Sequence, residues 1–367
     1  MPTLIEEKAE IKKPVRLQDV ARVAGISLAT ASLALSGKGR VSQSTQQEVR
    51  RIAQEMGFEA DPSAQRLAAG QSNTQIGLFT RTLDMGVATR KLQLLQGQLF
   101  EKGFRASIHS SGYYQGSQIA DHAALIRDLR LHRLLAIVCY AAHQFDKPMR
   151  EELEKYIASG GHLVTFDLQI DLPCDQVIFD RADSADKAVT HLLQLGHREI
   201  GFAMPGIYSD TMRLPGLYAA LAHYDVPFNK DFLFDCKQGL PPEIVGERLA
   251  HQFLALKQRP TAICIPDDMI AASFIATLYR QGLHVPQDVS VVSHDNLPIA
   301  AHNFVPLTTV TQPMEDIARS AVELLTSRLD GSYSGSPRQT VLYGELIVRQ
   351  STAPLDASTL PSRKETK

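Results

Sequence analysis

From residue 76 onward the sequence alternates short apolar segments with longer amphipathic ones, and this alternation restricts the fold more than any other feature. The short segments are rich in branched residues, as buried strands are, whereas the longer ones repeat apolar residues with the period of a helix. Strands that alternate with helices of this length form parallel sheets with helices on both faces. Because there are too many strands for one small sheet, we expect two similar α/β lobes.

These segments predict a core over residues 76–354, followed by a disordered tail at 355–367. The predicted strands are IGLF, ASIH, LLAIVCY, HLVTF, EIGFAM, TAICI and DVSVV. The predicted helices cover residues 92–102, 123–131, 149–159, 185–195, 217–224, 243–256, 269–281 and 315–329.

A different pattern, with helical spacing only, occupies residues 15–60. A first helix is predicted at 17–24, and a second at 28–35 with Ser27 as its N-cap. Ser42 or Ser44 begins a third helix that ends at Gly57. Three such short helices predict a small all-α bundle, which we call the headpiece.

The segments on either side of the headpiece are polar. Residues 1–14 are charged and predict a disordered tail. Residues 61–75 are polar and rich in alanine, with Pro62 near the start and Gly70 inside, and they predict a linker with a short helical stretch, which we call the hinge.

Charge is distributed unevenly along the chain. The formal net charge is −2, yet residues 11–75 carry nine basic and five acidic residues. Residues 76–367 have a net charge of −4. A small basic module on a larger acidic one is expected when only one end of a chain meets phosphate groups. The overall charge therefore does not exclude a nucleic-acid-binding protein.

Residues 17–35 have the spacing of a helix-turn-helix. This motif needs a small residue where its helices cross, a glycine in the turn and small apolar residues inside the second helix. Ala21, Gly25 and the pair Ala31 and Ala34 meet these needs. The second helix can then lie in the major groove of DNA. An ordinary helical hairpin satisfies the same spacing, so this stretch alone leaves both interpretations open.

Several classes of protein are disfavoured by what the sequence lacks. No apolar run approaches the roughly 18–20 residues that cross a bilayer, and the N-terminus lacks the apolar core of a secretory signal, so we expect a cytoplasmic protein without a membrane partner. There is no Walker loop, GxGxxG, GxSxG or HExxH motif, and we expect no enzyme, metal site or cofactor. Four cysteines without metal-ligand spacing are expected to be thiols, mostly buried: Cys139, Cys174, Cys236 and Cys264.

Several ordered motifs resemble the lactose/galactose-repressor (LacI/GalR) family of bacterial transcription regulators. The headpiece stretch LQDVARVAGISLATASLALSGKGRVSQSTQQEV is similar to the family pattern D-V-A, A-G-V-S, T-V-S and V-S-x-x-T. The resemblance continues through GFEADPSAQRLAAG, LGHREIGF, PQDVSVVSHDN, PLTTVTQP and ELIVRQST, from Val15 to about Thr352. It implies a sequence-specific regulator, a repressor, that binds operator DNA and is controlled by a small-molecule effector such as a sugar or sugar derivative.

The resemblance implies which headpiece residues meet DNA. The family reads bases with the first residues of the second helix and with a later one, which are Leu28, Ala29 and Leu33 here. Apolar side chains can pack on thymine methyl groups but cannot form bidentate hydrogen bonds with purines. We therefore expect recognition to depend also on DNA shape and on backbone positioning. The positioning residues are Ser27, Thr30, Ser32, Ser36 and Arg40.

In the hinge, the resemblance implies that Leu67 enters the minor groove and opens the central base step. Alternatively, Leu67 packs between two hinge helices. Two departures from the family weaken this part of the resemblance: Ala60 replaces the usual proline, and one extra residue lies between Leu67 and Ile76.

The core resembles periplasmic sugar-binding proteins, in which two lobes close on a ligand at the carboxyl ends of their strands. Arg213 and Asp295 match an arginine and an aspartate that hold ligand hydroxyl groups, and Asp167 and Asp267 are weaker matches. Each of these residues could instead form a structural salt bridge or a helix cap.

The first-lobe loop departs most from the family. Residues 84–88, DMGVA, replace the S-N-P-F-F of many relatives, so the aromatic floor of the pocket is missing. The change favours an unusual pocket with Asp84 in its lining, or the loss of ordinary sugar binding. Charged or phosphorylated sugars are then better candidates than neutral hexoses.

The resemblance also implies an assembly. The family dimerises through its core, which places two headpieces on the half-sites of a near-palindromic operator. The tail after Pro354 has no leucine heptads, so a tetramer is not expected. We also expect the chain to cross between the lobes more than once, because DVSVV and LTTV resemble pieces of different lobes.

Two other classes of protein remain as alternatives. The core alone fits a solute-binding protein of the periplasmic type, although the headpiece and the absent signal peptide disfavour it. A sugar-modifying α/β enzyme is disfavoured by the missing catalytic groups. For a regulator, the sequence leaves open whether the effector releases DNA or promotes DNA binding.

Overall fold

The computed structural model describes residues 15–36, 41–58, 75–81, 83, 86–110, 121–132, 134–142, 144–204, 211–235 and 240–355. The chain divides into two compact units, with the boundary between Asn73 and Thr74. The smaller unit contains only helices in its described part, and the larger unit contains two sheets with their covering helices.

The smaller unit is a three-helix bundle, as the spacing of its apolar residues predicts. Its helices are α1 (Leu17–Val23), α2 (Leu28–Ser36) and α3 (Gln43–Glu55). Gly25 has a φ of 64° in the turn between α1 and α2, which glycine adopts without strain. Of the two predicted caps of α3, Ser42 is the N-cap, and its side chain accepts a hydrogen bond from the Thr45 amide. The buried core consists of Val20, Ala34, Val49, Ile52 and Ala53.

The larger unit alternates strands and helices throughout. Its strands are β1 (Gln75–Thr80), β2 (Arg105–Ser110), β3 (Ala136–Ala141), β4 (His162–Asp167), β5 (Asp175–Phe179), β6 (Ile200–Met204), β7 (Leu233–Asp235), β8 (Ala262–Cys264), β9 (Ser290–Asp295), β10 (Thr308–Thr311), β11 (Gln339–Leu342) and β12 (Leu346–Ile347). Its helices are α4 (Val87–Glu101), α5 (His122–Leu131), α6 (Lys147–Ala158), α7 (Arg181–Gln194), α8 (Leu214–His223), α9 (Pro242–Ala255), α10 (Asp268–Arg280), α11 (Pro298–His302) and α12 (Met314–Leu329).

The strands form two six-stranded sheets with corresponding strand orders. The first has the order β11-β5-β4-β3-β1-β2, and the second has the order β12-β10-β9-β8-β6-β7. Neighbouring strands are parallel except β10 and β12, which are antiparallel. The prediction of two similar parallel-sheet lobes is therefore confirmed, and each strand of one lobe has a counterpart in the other.

Helices cover both faces of each sheet. In the first lobe, Val138 belongs to a core with α4 and α12, whereas its neighbour Ile137 faces a core with α5 and α6. In the second lobe, Ile263 packs with α9 and α10, and Cys264 packs with α7 and α8. Because successive residues of a strand point to opposite faces, strands buried on both sides are apolar throughout.

The chain crosses between the lobes three times within its described part: between β5 and α7, between β10 and α12, and between β11 and β12. Repeated crossing is as predicted, but the reason for expecting it was wrong. The segments DVSVV and LTTV form β9 and β10, which are adjacent in one sheet with Val292 paired to Thr308. The crossing instead follows β10, where the chain returns to the first lobe.

Three of the predicted thiols are free and buried: Cys139, Cys174 and Cys264. Cys236 lies outside the described residues, as do both terminal tails and the predicted hinge. None of the helices in the described ranges is both long and apolar enough to span a membrane.

Candidate DNA-binding helix and effector site

Helix α2 buries one face and exposes the other in the phase that the sequence predicts. Ala31 and Ala34 are fully buried, whereas Leu28 and Leu33 are 45% and 41% exposed. Ala29 is also exposed. The three residues expected to meet bases therefore lie on the surface of the helix rather than in the core of the bundle.

The polar residues of α2 contribute to its first turn. The Ser27 hydroxyl accepts a hydrogen bond from the Thr30 amide at 3.1 Å and lies 2.8 Å from the Thr30 hydroxyl. Ser27 thus caps the helix as predicted, while remaining exposed. Thr30 and Ser32 are half-buried. The Ser36 side chain, Arg40 and Leu67 lie outside the described residues.

In the larger unit, two aspartates occupy equivalent positions at the carboxyl ends of strands. Asp167 ends β4, and Asp295 ends β9, its counterpart in the second sheet. Their φ angles are 102° and 103°, a region that residues other than glycine rarely adopt. Such strain concentrates where the surrounding structure holds a functional group in place. The sequence predicted both aspartates without revealing their equivalence.

Asp167 is fully buried and is held by two cations. Its Oδ1 accepts a hydrogen bond from Lys91 Nζ at 2.6 Å, and its Oδ2 accepts one from Arg181 Nη2 at 2.7 Å. Lys91 is on α4 and is fully buried, and Arg181 is the first residue of α7. Asp167 therefore forms an internal salt bridge, one of the alternatives considered for it.

The charges of these three groups depend on one another. Burial opposes the ionisation of Asp167, but Arg181 and Lys91 hold its pKa below the ordinary value. Burial likewise opposes the charge of Arg181, yet Asp167 raises the pKa of that guanidinium. Burial lowers the pKa of Lys91, and Asp167 only partly offsets this. Asp167 is therefore an anion and Arg181 a cation at neutral pH.

In the second lobe, Asp295 is buried with different neighbours. Gln312 Nε2 donates a hydrogen bond to its Oδ1. Burial raises the pKa of Asp295 to about 7, the nearby Asp267 raises it further, and Arg213 opposes the rise. Asp295 is therefore close to half protonated at neutral pH, unlike its counterpart Asp167.

Arg213 and Asp267 lie beside Asp295. Arg213 is buried, and its Nη2 donates a hydrogen bond to the Pro266 carbonyl at 3.3 Å. Asp267 is the N-cap of α10 and accepts hydrogen bonds from the Met269 and Ile270 amides. Asp267 is thus a helix cap, whereas Arg213 and Asp295 are a buried donor and a buried acceptor whose charges interact.

The N-termini of α7 and α8 lie against each other because Gly216 has no side chain. A Cβ atom at Gly216 would lie 1.8 Å from the carbonyl oxygen of Ala182. This contact brings Arg213, just before α8, and Arg181, at the start of α7, to the same region. Both cations lower the pKa of His294, whose buried ring is neutral mainly because of its burial.

The structure adds an aromatic residue that the sequence analysis missed. Tyr140 in β3 packs on Phe166 with ring centroids 5.3 Å apart, and Lys91 Nζ lies 5.4 Å from the centre of the Tyr140 ring. From the sequence, an aromatic floor was expected only in the loop at residues 84–88, where it is missing. Asp84 itself lies outside the described residues.

Two family models match the chain. The model described as "Bacterial regulatory proteins, lacI family" matches residues 16–61. The model described as "Periplasmic binding protein-like domain" matches residues 189–352.

Several curated proteins are similar to the chain over almost its whole length. The HTH-type transcriptional repressor CytR of Escherichia coli (strain K12) is 28% identical over 352 residues, which cover 92% of this chain and 96% of CytR. The HTH-type transcriptional repressor PurR of Photobacterium profundum is 25% identical over 349 residues, which cover 93% of this chain and 99% of PurR.

Solved structures share the fold. The Lac repressor dimer bound to operator and the anti-inducer ONPF has a TM-score of 0.68 at 23% identity, and the match covers 93% of this chain and all of that one. The complex of the transcriptional regulator CelR with cellobiose has a TM-score of 0.67 at 23% identity, with 92% of this chain and 99% of that one covered.

Proposed function

We propose that this chain, which belongs to the LacI family of bacterial transcription regulators, is a repressor that binds operator DNA as a homodimer and responds to a small molecule held between its two lobes. Its similarity to transcription repressors extends over both units of the chain. This favours a regulator over a solute-binding protein, which would account for the larger unit only. It also disfavours the sugar-modifying enzyme.

The observation that carries the DNA-binding part is the exposed face of α2. Leu28, Ala29 and Leu33 lie on one surface of the second helix of the motif, where they can meet base edges and thymine methyl groups. We assign base contacts to these three residues. Phosphate and backbone positioning falls to Ser27, Thr30, Ser32, Ser36 and Arg40, with Leu67 as the minor-groove wedge.

For the effector, we assign Arg213 and Asp295 as the central pair. A guanidinium donates several hydrogen bonds and a carboxyl group accepts them, which suits a ligand with many hydroxyl groups. Asp167 and Asp267 act less directly, since an ion pair and a helix cap already engage them. A similar regulator binds cellobiose, and another of the same fold binds ribose, which favours a sugar or sugar derivative here.

The two units have different proposed roles. We propose that residues 15–60 bind DNA, residues 61–75 form the hinge, and residues 76–354 bind the effector and dimerise. Such a protein works where the chromosome is, in the cytoplasm.

Genomic footprinting of the tagged protein tests this function directly. The expected result is a limited set of protected sites, each a near-palindrome with two half-sites. A second sample, exposed to the effector during growth, should show changed occupancy at the same sites. Diffuse protection without a common sequence would contradict the proposal.

A further inference from the structure

We propose that the effector carries an anionic group, a carboxylate or a phosphate ester, and that Lys91 of the first lobe and Arg181 of the second lobe bind this group. This inference rests on the proposed function, because it concerns the ligand of the same inter-lobe site. It assigns the anionic group, already favoured by the loop at residues 84–88, to two residues of the described structure.

Two buried donors of Arg181 lack an acceptor in the described part of the chain. Only its Nη2 is engaged, by Asp167, whereas Nε and Nη1 are buried without a hydrogen-bond partner in the described part of the chain. Leaving buried donors of a charged group unpaired opposes folding, because those donors lose their hydrogen bonds to water. An incoming carboxylate or phosphate would satisfy both donors, since these oxyanions match the fork of a guanidinium.

The number of basic groups around Asp167 also favours an anionic ligand. Lys91 and Arg181 both bind Asp167, but one cation would neutralise one carboxylate. In the adjoining lobe, Arg213 faces Asp295, whose raised pKa of about 7 leaves it only partly ionised. The neighbouring Asp268 has a pKa raised well above its ordinary value by burial and by Asp295. Asp167 therefore has one more basic partner than its single carboxylate needs.

The position of Lys91 and Arg181 in the fold also fits a ligand site. Asp167 ends β4, so its two cations lie at the carboxyl edge of the first sheet, where open α/β sheets bind ligands. Asp295 raises the pKa of both Lys91 and Arg181 through its charge, so the two sets of charges lie near one another. A ligand whose hydroxyl groups meet Arg213 and Asp295 would extend its anionic group toward Arg181. The ring of Tyr140 lies beside Lys91 and offers an apolar face to such a ligand.

A purely structural role for the cations predicts different behaviour. If Lys91 and Arg181 only hold Asp167, then Arg181→Lys should leave anion affinity unchanged, because lysine still pairs with the carboxylate. If they bind an anion, the same variant keeps the charge but loses the two unpaired donors. Lys91→Met removes one of the two basic partners while Arg181 still neutralises Asp167.

The test measures binding to the full-length protein by calorimetry and by thermal shift. The probes are D-glucose, D-glucuronate, D-glucose 6-phosphate and inorganic phosphate, all at one ionic strength set with sodium chloride. Arg181→Lys and Lys91→Met are compared with matched controls on the exposed surface, Arg319→Lys and Lys155→Met. The uronate and the phosphate ester distinguish the two sources of the anionic group.

We expect at least one anionic probe to bind at least tenfold more tightly than D-glucose, with a rise in Tm beyond that in sodium chloride. Its affinity should fall at least tenfold in Arg181→Lys and in Lys91→Met, and should be unchanged in both controls. Preference for neutral glucose, equal affinities in wild type and Arg181→Lys, or no response to any anion would overturn the inference. A footprint at discrete operators in the same protein would show that such a failure does not extend to the proposed function.

Discussion

Asp167 and Asp295 end equivalent strands and share an unusual backbone conformation, yet they differ in charge at neutral pH. Two cations bind Asp167, whereas Asp295 accepts a hydrogen bond from a neutral amide and lies near Asp267. The difference arises from neighbours rather than from burial, because both aspartates are buried. At the scale of single residues, one site therefore contains a permanent anion and a titratable one.

The titratable aspartate makes stability depend on pH. Its pKa is raised from 3.8 to about 7 in the folded chain, so the folded state binds this proton more tightly than the unfolded state. The stabilisation that protonated Asp295 contributes is therefore present in full below about pH 4 and is lost as the pH rises to 7. Asp295→Asn cannot ionise, and its carbonyl can still accept a hydrogen bond from Gln312.

The free energy of unfolding of Asp295→Asn should exceed that of wild type by up to about 4 kcal/mol at pH 8, and by much less at pH 5. Urea unfolding of both proteins at the two pH values measures this. Asp171→Asn, at a side chain that is 94% exposed, is the control and should show no such trend. A difference between Asp295→Asn and wild type that is equal at pH 5 and pH 8 would refute the assigned pKa.

The exposed leucines of α2 are predicted to carry sequence preference rather than affinity. Leu28→Ala and Leu33→Ala remove methyl contacts but no charge, so affinity for random DNA should change less than twofold. Discrimination at the contacted bases should fall by about 1–3 kcal/mol per base pair. Selection of binding sites from a random duplex pool measures the preference.

Val23→Ala is the matched control, because Val23 is an exposed apolar residue on α1 outside the second helix. Its preferred sequence should match that of wild type. Should Leu28→Ala or Leu33→Ala unfold the bundle, as followed by circular dichroism, the two leucines would be core residues. The assignment of base contacts would then be wrong.

At the scale of elements, the helices of the larger unit were the most predictable part of the fold. Their apolar residues repeat with the helical period over at least two turns in all but the five-residue α11, which was not predicted, and each predicted helix overlaps an observed one. The strands missed were β5, β7, β10, β11 and β12. β11 alternates exposed and half-buried residues at the edge of its sheet, and β12 has only two residues, so neither produces an apolar run.

The candidate site was predictable only in part, because two of its residues lie outside the family motifs. The family motifs identified Arg213 and Asp295, but Lys91 and Arg181 occur in segments interpreted only as secondary structure or as connections. Lys91 stands among Ala88, Leu92 and Leu95 on the buried face of α4, where a lysine must have a partner. The sequence alone therefore indicates that Lys91 is paired with an acidic or other polar group. The identity of the partner, Asp167, depends on packing 76 residues further along the chain and could not be inferred.

The contact between α7 and α8 is predicted to depend on a single glycine. Gly216→Ala should force the helices apart, because its Cβ would overlap the Ala182 carbonyl, and should cost about 1–3 kcal/mol or more. Gly97→Ala is the matched control: Gly97 lies inside α4 with open space around it, and the change should stabilise by up to about 1 kcal/mol. Thermal unfolding compares the two. A Gly216→Ala variant as stable as wild type would contradict the packing.

At the scale of the whole molecule, the basic headpiece predicts DNA binding that depends strongly on salt. Arg22 and Arg50 are exposed, and Lys38 and Arg40, outside the described residues, are the other bases expected to reach phosphates. If a dimer neutralises about 6 phosphates, log K should fall against log salt with a slope near −5. Fluorescence anisotropy with a footprinted duplex measures the slope, and a slope near zero would exclude the phosphate contacts.

The three crossings between lobes provide the physical basis for control by a ligand. The lobes are joined by short connections between β5 and α7, β10 and α12, and β11 and β12, so their relative arrangement can change without unfolding either sheet. A ligand shifts the DNA-binding equilibrium only if it binds one arrangement better than the other. Groups from both lobes, such as Lys91 and Arg213, would give a ligand that preference.

The most direct test of this account is operator affinity measured against effector concentration in wild type and in Arg213→Ala. The effector is the probe that raises the Tm of wild type most. With a coupling free energy of about 1–3 kcal/mol, saturating effector should change wild-type operator affinity about 5- to 150-fold. In Arg213→Ala the same concentrations should leave it unchanged. An unchanged affinity in wild type, or an equal change in the variant, would contradict control of DNA binding through this site.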